Sequence, residues 1–405
     1  MDFDPQWLLL GVPVVFALGW LASRFDLRQW RRDERSSPKA YYKGLNLLLN
    51  EQHDKAIDAF IEAVQQDPDT SELHFALGNL FRRRGEYERA VRVHEHLLHR
   101  ADLPATERDR AQHALAQDFM RAGLFDRAEQ AYQALEATAF DSESRLALLT
   151  LHERSRDWRA AVGDAQKLEH RGIGSFASRI AHYWCEVALE ADAKNQTDEA
   201  EAAMRRAREA APQAARPLVL TGQRAARRGE HAQALEVWGI LMVTNPAAFN
   251  LVARDYALSA QASGSGPAAL ERLLEIYRRA PTMDLLGAIG TLEPDAARQQ
   301  ERVRAHLKQH PTLAAAQAYL AQTAGPSQTA VPSPTDAAAA TSASANAADP
   351  NIAPLLAVRD AVTRAAQPLH RYRCAACGFE AQHYFWQCPG CLSWDSYPPQ
   401  RLEDL

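Results

Sequence analysis

Four of the five cysteines in this 405-residue chain fall in two C-x-x-C pairs near its end. They are Cys374 and Cys377, then Cys388 and Cys391, in the stretch YRCAACGFEAQHYFWQCPGCLSW. A C-x-x-C knuckle lets two thiolates meet one metal ion while backbone amides turn inward toward the sulfurs. Two such knuckles, ten residues apart, supply a complete tetrahedral set suited to zinc or to a single iron. Gly378 and Gly390 sit where the tight turns would need them. The competing pairing as two disulfides requires an oxidising compartment. Tyr372, Phe379, Tyr384, Trp386 and Trp394 are many aromatics for so small a module. They either form its miniature core or dock it on the rest of the chain. Cys185, between Trp184 and Glu186 on a helical stretch, reads as packing rather than as a ligand.

Other chemistry is hard to find. His94, Glu95, His96 and His99 approach a metalloprotease box, but H-E-x-x-H needs its second histidine at position 98, which is Leu98. His94 then falls at a large-residue packing position. There is no G-x-S-x-G, no Walker sequence and no dinucleotide fingerprint, so the chain does not read as an enzyme. The net charge of −5 gives no footprint for nucleic acid. Around the knuckles, Glu380, Asp395, Glu403 and Asp404 oppose Arg371, Arg373 and Arg401, the wrong balance for phosphate contacts.

The elements that must carry this module are repeated helix pairs, most legible in LGNLFRRRGEYERAVRVHEHLL. An alanine recurs in each second helix, at Ala56, Ala90, Ala128, Ala161, Ala200, Ala234 and Ala269, at intervals of 34, 38, 33, 39, 34 and 35. A period near 34 with small residues at the helix crossing is the tetratricopeptide signature, and stacked repeats present an extended binding surface. Gly78 and Ala90 are expected to let the two helices of their pair approach. Seven repeats are clear and up to nine are countable, with Pro294 and Pro311 as the last markers. The first helix of each pair lines the concave face, which makes Asn79, Arg82, Arg83, Gln117 and Arg121 candidate partner contacts, suited to an acidic or main-chain segment. The fold class expected is all-α: a tetratricopeptide-repeat superhelical solenoid, with an N-terminal transmembrane helix and a small C-terminal metal module.

Trp7 to Ala22 is an apolar or small stretch of sixteen residues, about 24 Å as a helix, slightly short of a hydrocarbon core. A cleaved signal peptide would carry positive charge before this run. Here Asp2 and Asp4 precede it and Arg24, Arg28, Arg31, Arg32 and Arg35 follow. The positive-inside rule places the N-terminus outside and the rest in the cytoplasm, where thiols stay reduced and a metal site is favoured over disulfides. The expected organisation is an anchor over 1–23, a basic juxtamembrane segment over 24–37 and repeats over 38–323. A linker over 324–353, a short helix over 354–368 and the metal module over 369–405 complete it. The linker is Ala-, Ser-, Thr- and Pro-rich and cannot bury enough surface to offset its chain entropy.

With these residues laid out, the chain resembles the lipopolysaccharide assembly protein B family of Gram-negative bacteria. The stretches that carry the resemblance are the anchor followed by arginines, YYKGLNLLLNEQHDKAIDAF, LGNLFRRRGEYERAVRVH, DFMRAGLFDRAE, IAHYWCEVAL and the C-terminal knuckles. The resemblance implies a single-pass inner-membrane protein, N-terminus periplasmic, whose cytoplasmic part joins tetratricopeptide repeats to a rubredoxin-like metal module. It implies a regulatory adaptor that promotes proteolysis of the deacetylase LpxC by the membrane AAA+ protease FtsH and is restrained by an inner-membrane lipopolysaccharide-sensing protein. The four knuckle cysteines match the family's metal ligands. The linker departs from the pattern in its length, which leaves open whether the module docks on the array. Two alternatives stand beside the adaptor: a membrane-tethered scaffold for lipopolysaccharide synthesis or export proteins without a proteolytic role, and a rubredoxin-type electron carrier. Whether the chain forms a homo-oligomer is also left open.

Overall fold

Each of the seven marker alanines is buried, none exposing more than 3% of its surface. The crossing they mark follows one rule of size. The residue twelve positions before the marker and the residue four after it face each other across the helix pair, and their bulk is complementary. Gly44 meets Phe60, Gly78 meets His94 and Gly222 meets Trp238, so closely that a Cβ on the glycine would lie 2.7, 2.4 and 2.2 Å from the opposing ring. In other pairs the same positions hold Ala116 with Tyr132, Ala188 with Met204 and Ala257 with Leu273, all buried. In the fourth pair the order reverses, with Leu149 on the first helix and Ala165 on the second. Close packing leaves room for one large side chain per crossing, and the chain supplies one. Gly78 therefore makes room for the His94 ring rather than for Ala90.

The structure is a computed structural model that describes residues 13–20, 42–324 and 352–404. Its contacts divide it into two units between Gly174 and Ser175. The first holds four helix pairs: 42–49 with His53–Gln66, Ser71–Arg84 with Tyr87–His99, Ala105–Ala122 with Phe125–Gln133, and Asp141–Ser155 with Trp158–His170. Turns within pairs close on a left-handed residue. At Gly85, φ is 83°, and the Glu86 amide reaches back to the Phe81 carbonyl at 2.9 Å. Arg156 takes the same conformation at φ 61° without being glycine.

The second unit holds Ala177–Ala193 with Thr197–Ala210, Ala215–Arg227 with His231–Thr244, Ala253–Ala262 with Gly266–Arg279, and Met283–Leu292 with Ala296–Gln309. Pro294 and Pro311 lie in loops that separate helices here. The next helix, Leu313–Ala324, packs against Ile352–Ala366, a helix from the far side of the linker. A ninth helical hairpin is thus closed across the linker, residues 325–351 of which lie outside the described residues. A 3-10 turn, Gln367–His370, leads into the metal module, in which the strands Tyr372–Arg373 and Glu380–Ala381 pair antiparallel.

The transmembrane anchor expected over 1–23 lies outside the described residues except for 13–20, which are helical and exposed. Among the described residues no helix is long and apolar enough to cross a membrane.

Candidate metal centre and its seat on the repeats

Each knuckle is built by the backbone before any sulfur is considered. In the first, the Cys374 amide donates to the Phe379 carbonyl at 2.9 Å and the Gly378 amide donates back to Cys374 at 2.9 Å. In the second, the Cys388 amide donates to Ser393 at 2.9 Å and the Leu392 amide to Cys388 at 2.8 Å. The residue after the second cysteine of each pair must be left-handed. Gly378 does this at φ 78°, whereas in the second knuckle Leu392 takes φ 60°. Gly390 is not the left-handed residue expected of it; its missing side chain instead leaves room for Phe379, 3.4 Å from where a Cβ would stand.

The two turns bring the four Sγ atoms within 4.8 Å of one another. Cys374 and Cys391 are 3.8 Å apart, Cys377 and Cys388 3.6 Å, and all four thiols are free. One metal ion bound tetrahedrally at about 2.3 Å would set neighbouring sulfurs about 3.8 Å apart, so the cluster fits such an ion and not two disulfides. No other group of three or more His, Cys, Asp or Glu among the described residues is gathered in this way.

The surroundings divide the thiols: Cys374 and Cys391 are lowered, whereas at Cys377 the Phe379 amide is outweighed by loss of solvent and hydrogen bonds with the other three cysteines, which push that thiol up to about 12. Burial opposes ionisation of Cys374, but the Ser396 hydroxyl 3.3 Å away and the Cys377 and Ala376 amides outweigh it and bring the thiol down to about 6. The Ser393 hydroxyl, 3.3 Å from Cys391, lowers that thiol too. Cys185 contrasts: it lies buried in the helix Ala177–Ala193, where loss of solvent pushes its thiol up to about 12.

The module's aromatics divide between two tasks. Tyr372 and Tyr384, with Tyr397, pack around Cys374 and Cys388 as a miniature core, and Leu251 of the repeats joins them. Trp386 and Trp394 face the repeats. Trp394 stacks on His182 with centroids 4.7 Å apart, meets Tyr183 edge-on and lies under the Arg216 guanidinium at 5.6 Å. Trp386 packs against the core of the sixth and seventh repeats. Phe379 stays exposed.

Polar contacts fix the seat. Asp395, left-handed at φ 50°, accepts from His182 Nε2 at 2.8 Å and from the Ser178 hydroxyl at 3.1 Å. Burial works against the Asp395 charge, but these two bonds and Arg216 hold its carboxyl below the usual range. Arg401 pairs with Asp284 at 3.1 Å. The Glu403 carboxylate caps the helix Leu313–Ala324, accepting from the Leu313 and Ala314 amides. The linker length left docking open; within this unit, the module is seated on the repeats by stacking, ion pairing and a helix cap. Nothing in the sequence marked Asp395, Arg401 or Glu403 as docking residues. Their partners lie 213, 117 and about 90 positions away.

The candidate partner contacts of the repeats lie in the first unit. Arg82 is largely spoken for: it donates to Asp118 at 2.8 Å, to the Ala114 carbonyl at 3.1 Å and to Asn79 Oδ1 at 2.5 Å. Asp118 is fully buried and also accepts from His94 Nδ1 at 2.5 Å. His94 is therefore a core histidine in a polar triad, in keeping with the failed metalloprotease spacing. Asn79 and Gln117 are half-buried, and Arg83 and Arg121 are exposed.

Comparison with known proteins accords with these parts. Residues 372–398 match the model of a family described as a rubredoxin metal binding domain. The whole chain is similar to proteins named lipopolysaccharide assembly protein B. It is 29% identical to that of Escherichia coli K12 over 98% of each chain, and 25% identical to that of Haemophilus influenzae over 97% of this chain and 98% of the other. Among solved structures, a tetratricopeptide repeat protein from Parabacteroides merdae is 14% identical, covering 64% of this chain and 99% of its own with a TM-score of 0.32.

Proposed function

From a chain homologous over nearly its whole length to the lipopolysaccharide assembly B proteins, we propose that this protein serves lipopolysaccharide assembly as an adaptor. In this reading it is anchored in the inner membrane through residues 1–23, with repeats and metal module in the cytoplasm, and promotes proteolysis of LpxC by FtsH. A lipopolysaccharide-sensing membrane protein restrains it. The observation that carries the reading is the seat of the module: the four-cysteine module, fixed to the repeats of the second unit, makes with them a platform able to hold one protein beside another.

The chemistry required is positional. The four cysteines would hold one zinc or iron ion, which cross-links the two knuckles and so keeps Trp386, Trp394 and Asp395 aimed at the repeats. His182, Ser178 and Arg216 receive them. Confinement by the anchor raises the concentration of the platform around a membrane protease.

The test is the half-life of LpxC in cells depleted of this protein and complemented with the natural chain or with all four knuckle cysteines changed to serine. Depletion lengthens the half-life, the natural chain restores it and the serine variant does not. An unchanged half-life on depletion overturns the proteolytic role and favours a scaffold.

A further inference from the structure

Where the metal module sits on the repeats, a cavity of about 940 Å³ opens between them. Three separate parts of the second unit form its walls. Repeat helices supply Gln223, Arg254 and Asp255; the last helix and its 3-10 turn supply Arg364 and His370; the module supplies His383 and Trp386. Two further wall arginines are committed, Arg401 to Asp284 at 3.1 Å and Arg371 to Glu380 at 3.6 Å. Arg254 and Arg364 are exposed and have no acidic partner among the described residues. They give the mouth a positive rim.

The cavity does not end there. A second hollow of about 610 Å³ shares Leu220, Gln223 and Asp255 with it and continues along the repeat helices past Leu189 and Leu258. Leu258 is 46% exposed and lines this hollow beside Leu189 and Leu220. One groove thus has a cationic end against the metal module and an apolar end against the repeats.

We propose that this groove holds an acidic polypeptide segment in extended form, with carboxylates at Arg254 and Arg364 and an apolar residue on Leu220 and Leu258. The inference rests on the adaptor reading and names the chemistry of what is adapted. Charge complementarity selects an anion. Asp255, which both hollows share, selects a polypeptide: its carboxylate accepts main-chain N–H groups, which a phosphate does not offer. Gln223 beside it donates to Asp255 at 3.4 Å, which leaves its amide oxygen to accept from a peptide backbone. The apolar end is also no closed chamber of the kind an acyl chain would need, because Gln223, Arg227, His231 and Asp255 line it beside the leucines.

The test is a selection of a random dodecapeptide library on the purified full chain, followed by anisotropy titration of the resynthesised winners. The comparison protein is Arg254→Glu/Arg364→Gln, with helical content and bound metal checked as unchanged. Winners should be rich in Asp and Glu with interspersed apolar residues. Their affinity should fall about tenfold or more in the variant, as loss of two charge-assisted contacts requires. No winners, basic or neutral winners, or winners indifferent to the variant overturn the proposal. Phosphatidylglycerol vesicles form a second arm: binding to them that the variant abolishes, with no peptide selected, assigns the rim to a lipid surface and also overturns it. The selection uses neither protease nor LpxC, so its failure and a failed half-life experiment are separate results.

Discussion

At the scale of single residues, the first unit buries two carboxylates between basic partners. Asp118 is buried between Arg82 and His94, and Asp164 between Arg145 and His152. Such groups are costly unless paired, so each pair fixes the register of its helices. His152 carries a pH consequence. Burial lowers its tendency to protonate, but the bond from Nδ1 to Asp164 at 2.8 Å and nearby Glu129 prevail, so its pKa is raised. A raised histidine contributes stability that is fully present below its unfolded value of about 6.5 and is lost as pH rises through the folded value. In His152→Gln, hydrogen exchange of Asp141–Ser155 and Trp158–His170 should therefore be faster than in the natural chain at acid pH, and the gap should narrow toward alkaline pH. A gap independent of pH would show that only packing is lost. Residue types marked the candidate metal ligands because two C-x-x-C pairs ten residues apart supply a complete tetrahedral set, which a single pair does not. They did not announce Arg82: a basic side chain on the inner face of a helix reads as a ligand contact, and its carboxylate partner stands 36 residues away.

At the scale of helix pairs, the marker alanines were legible because each unit buries one at the same place, and the period survives changes of one to five residues in length. What faces each crossing was less legible, since size is shared between two positions and either can be large. That sharing predicts rescue. Gly222→Ala puts a Cβ 2.2 Å from the Trp238 indole nitrogen, and backbone or ring must shift. Overpacking of this kind costs about 1–3 kcal/mol. Gly222→Ala/Trp238→Leu copies the Ala257 and Leu273 pair of the next repeat and should recover part of that loss, whereas Trp238→Leu alone leaves a void. Thermal unfolding of the three variants decides the matter. If the double variant is no better than the sum of its single changes, the crossing is not governed by size. The ninth hairpin was illegible for another reason: its two helices, Leu313–Ala324 and Ile352–Ala366, are adjacent in space but separated in sequence by the linker.

At the scale of the whole molecule, the question is how far the metal centre reaches. Its ligands lie within 18 residues, yet the module they close touches the repeats at His182, Arg216, Leu251, Asp284 and Leu313. Metal loss and loss of the seat can be separated. Cys388→Ser removes a fully buried ligand, so it should release the ion and loosen residues 369–405 together with their contacts on Ala177–Ala193. Asp395→Asn keeps all four sulfurs but replaces the carboxylate that accepts from both His182 and Ser178. It should retain the metal and still loosen the seat. Both variants should keep their helical circular dichroism, because each repeat packs on its neighbours and not on the knuckles. The readout is hydrogen exchange at Ile180–Val187 beside metal content: faster exchange in both variants, with metal lost in the first alone. If Cys388→Ser lost its metal without any change there, the module would be a passenger on the array. If the helical signal collapsed, the repeats of the second unit would depend on the metal to fold. The expected pattern lies between these and makes the ion a staple for one surface, the one that also walls the cationic groove.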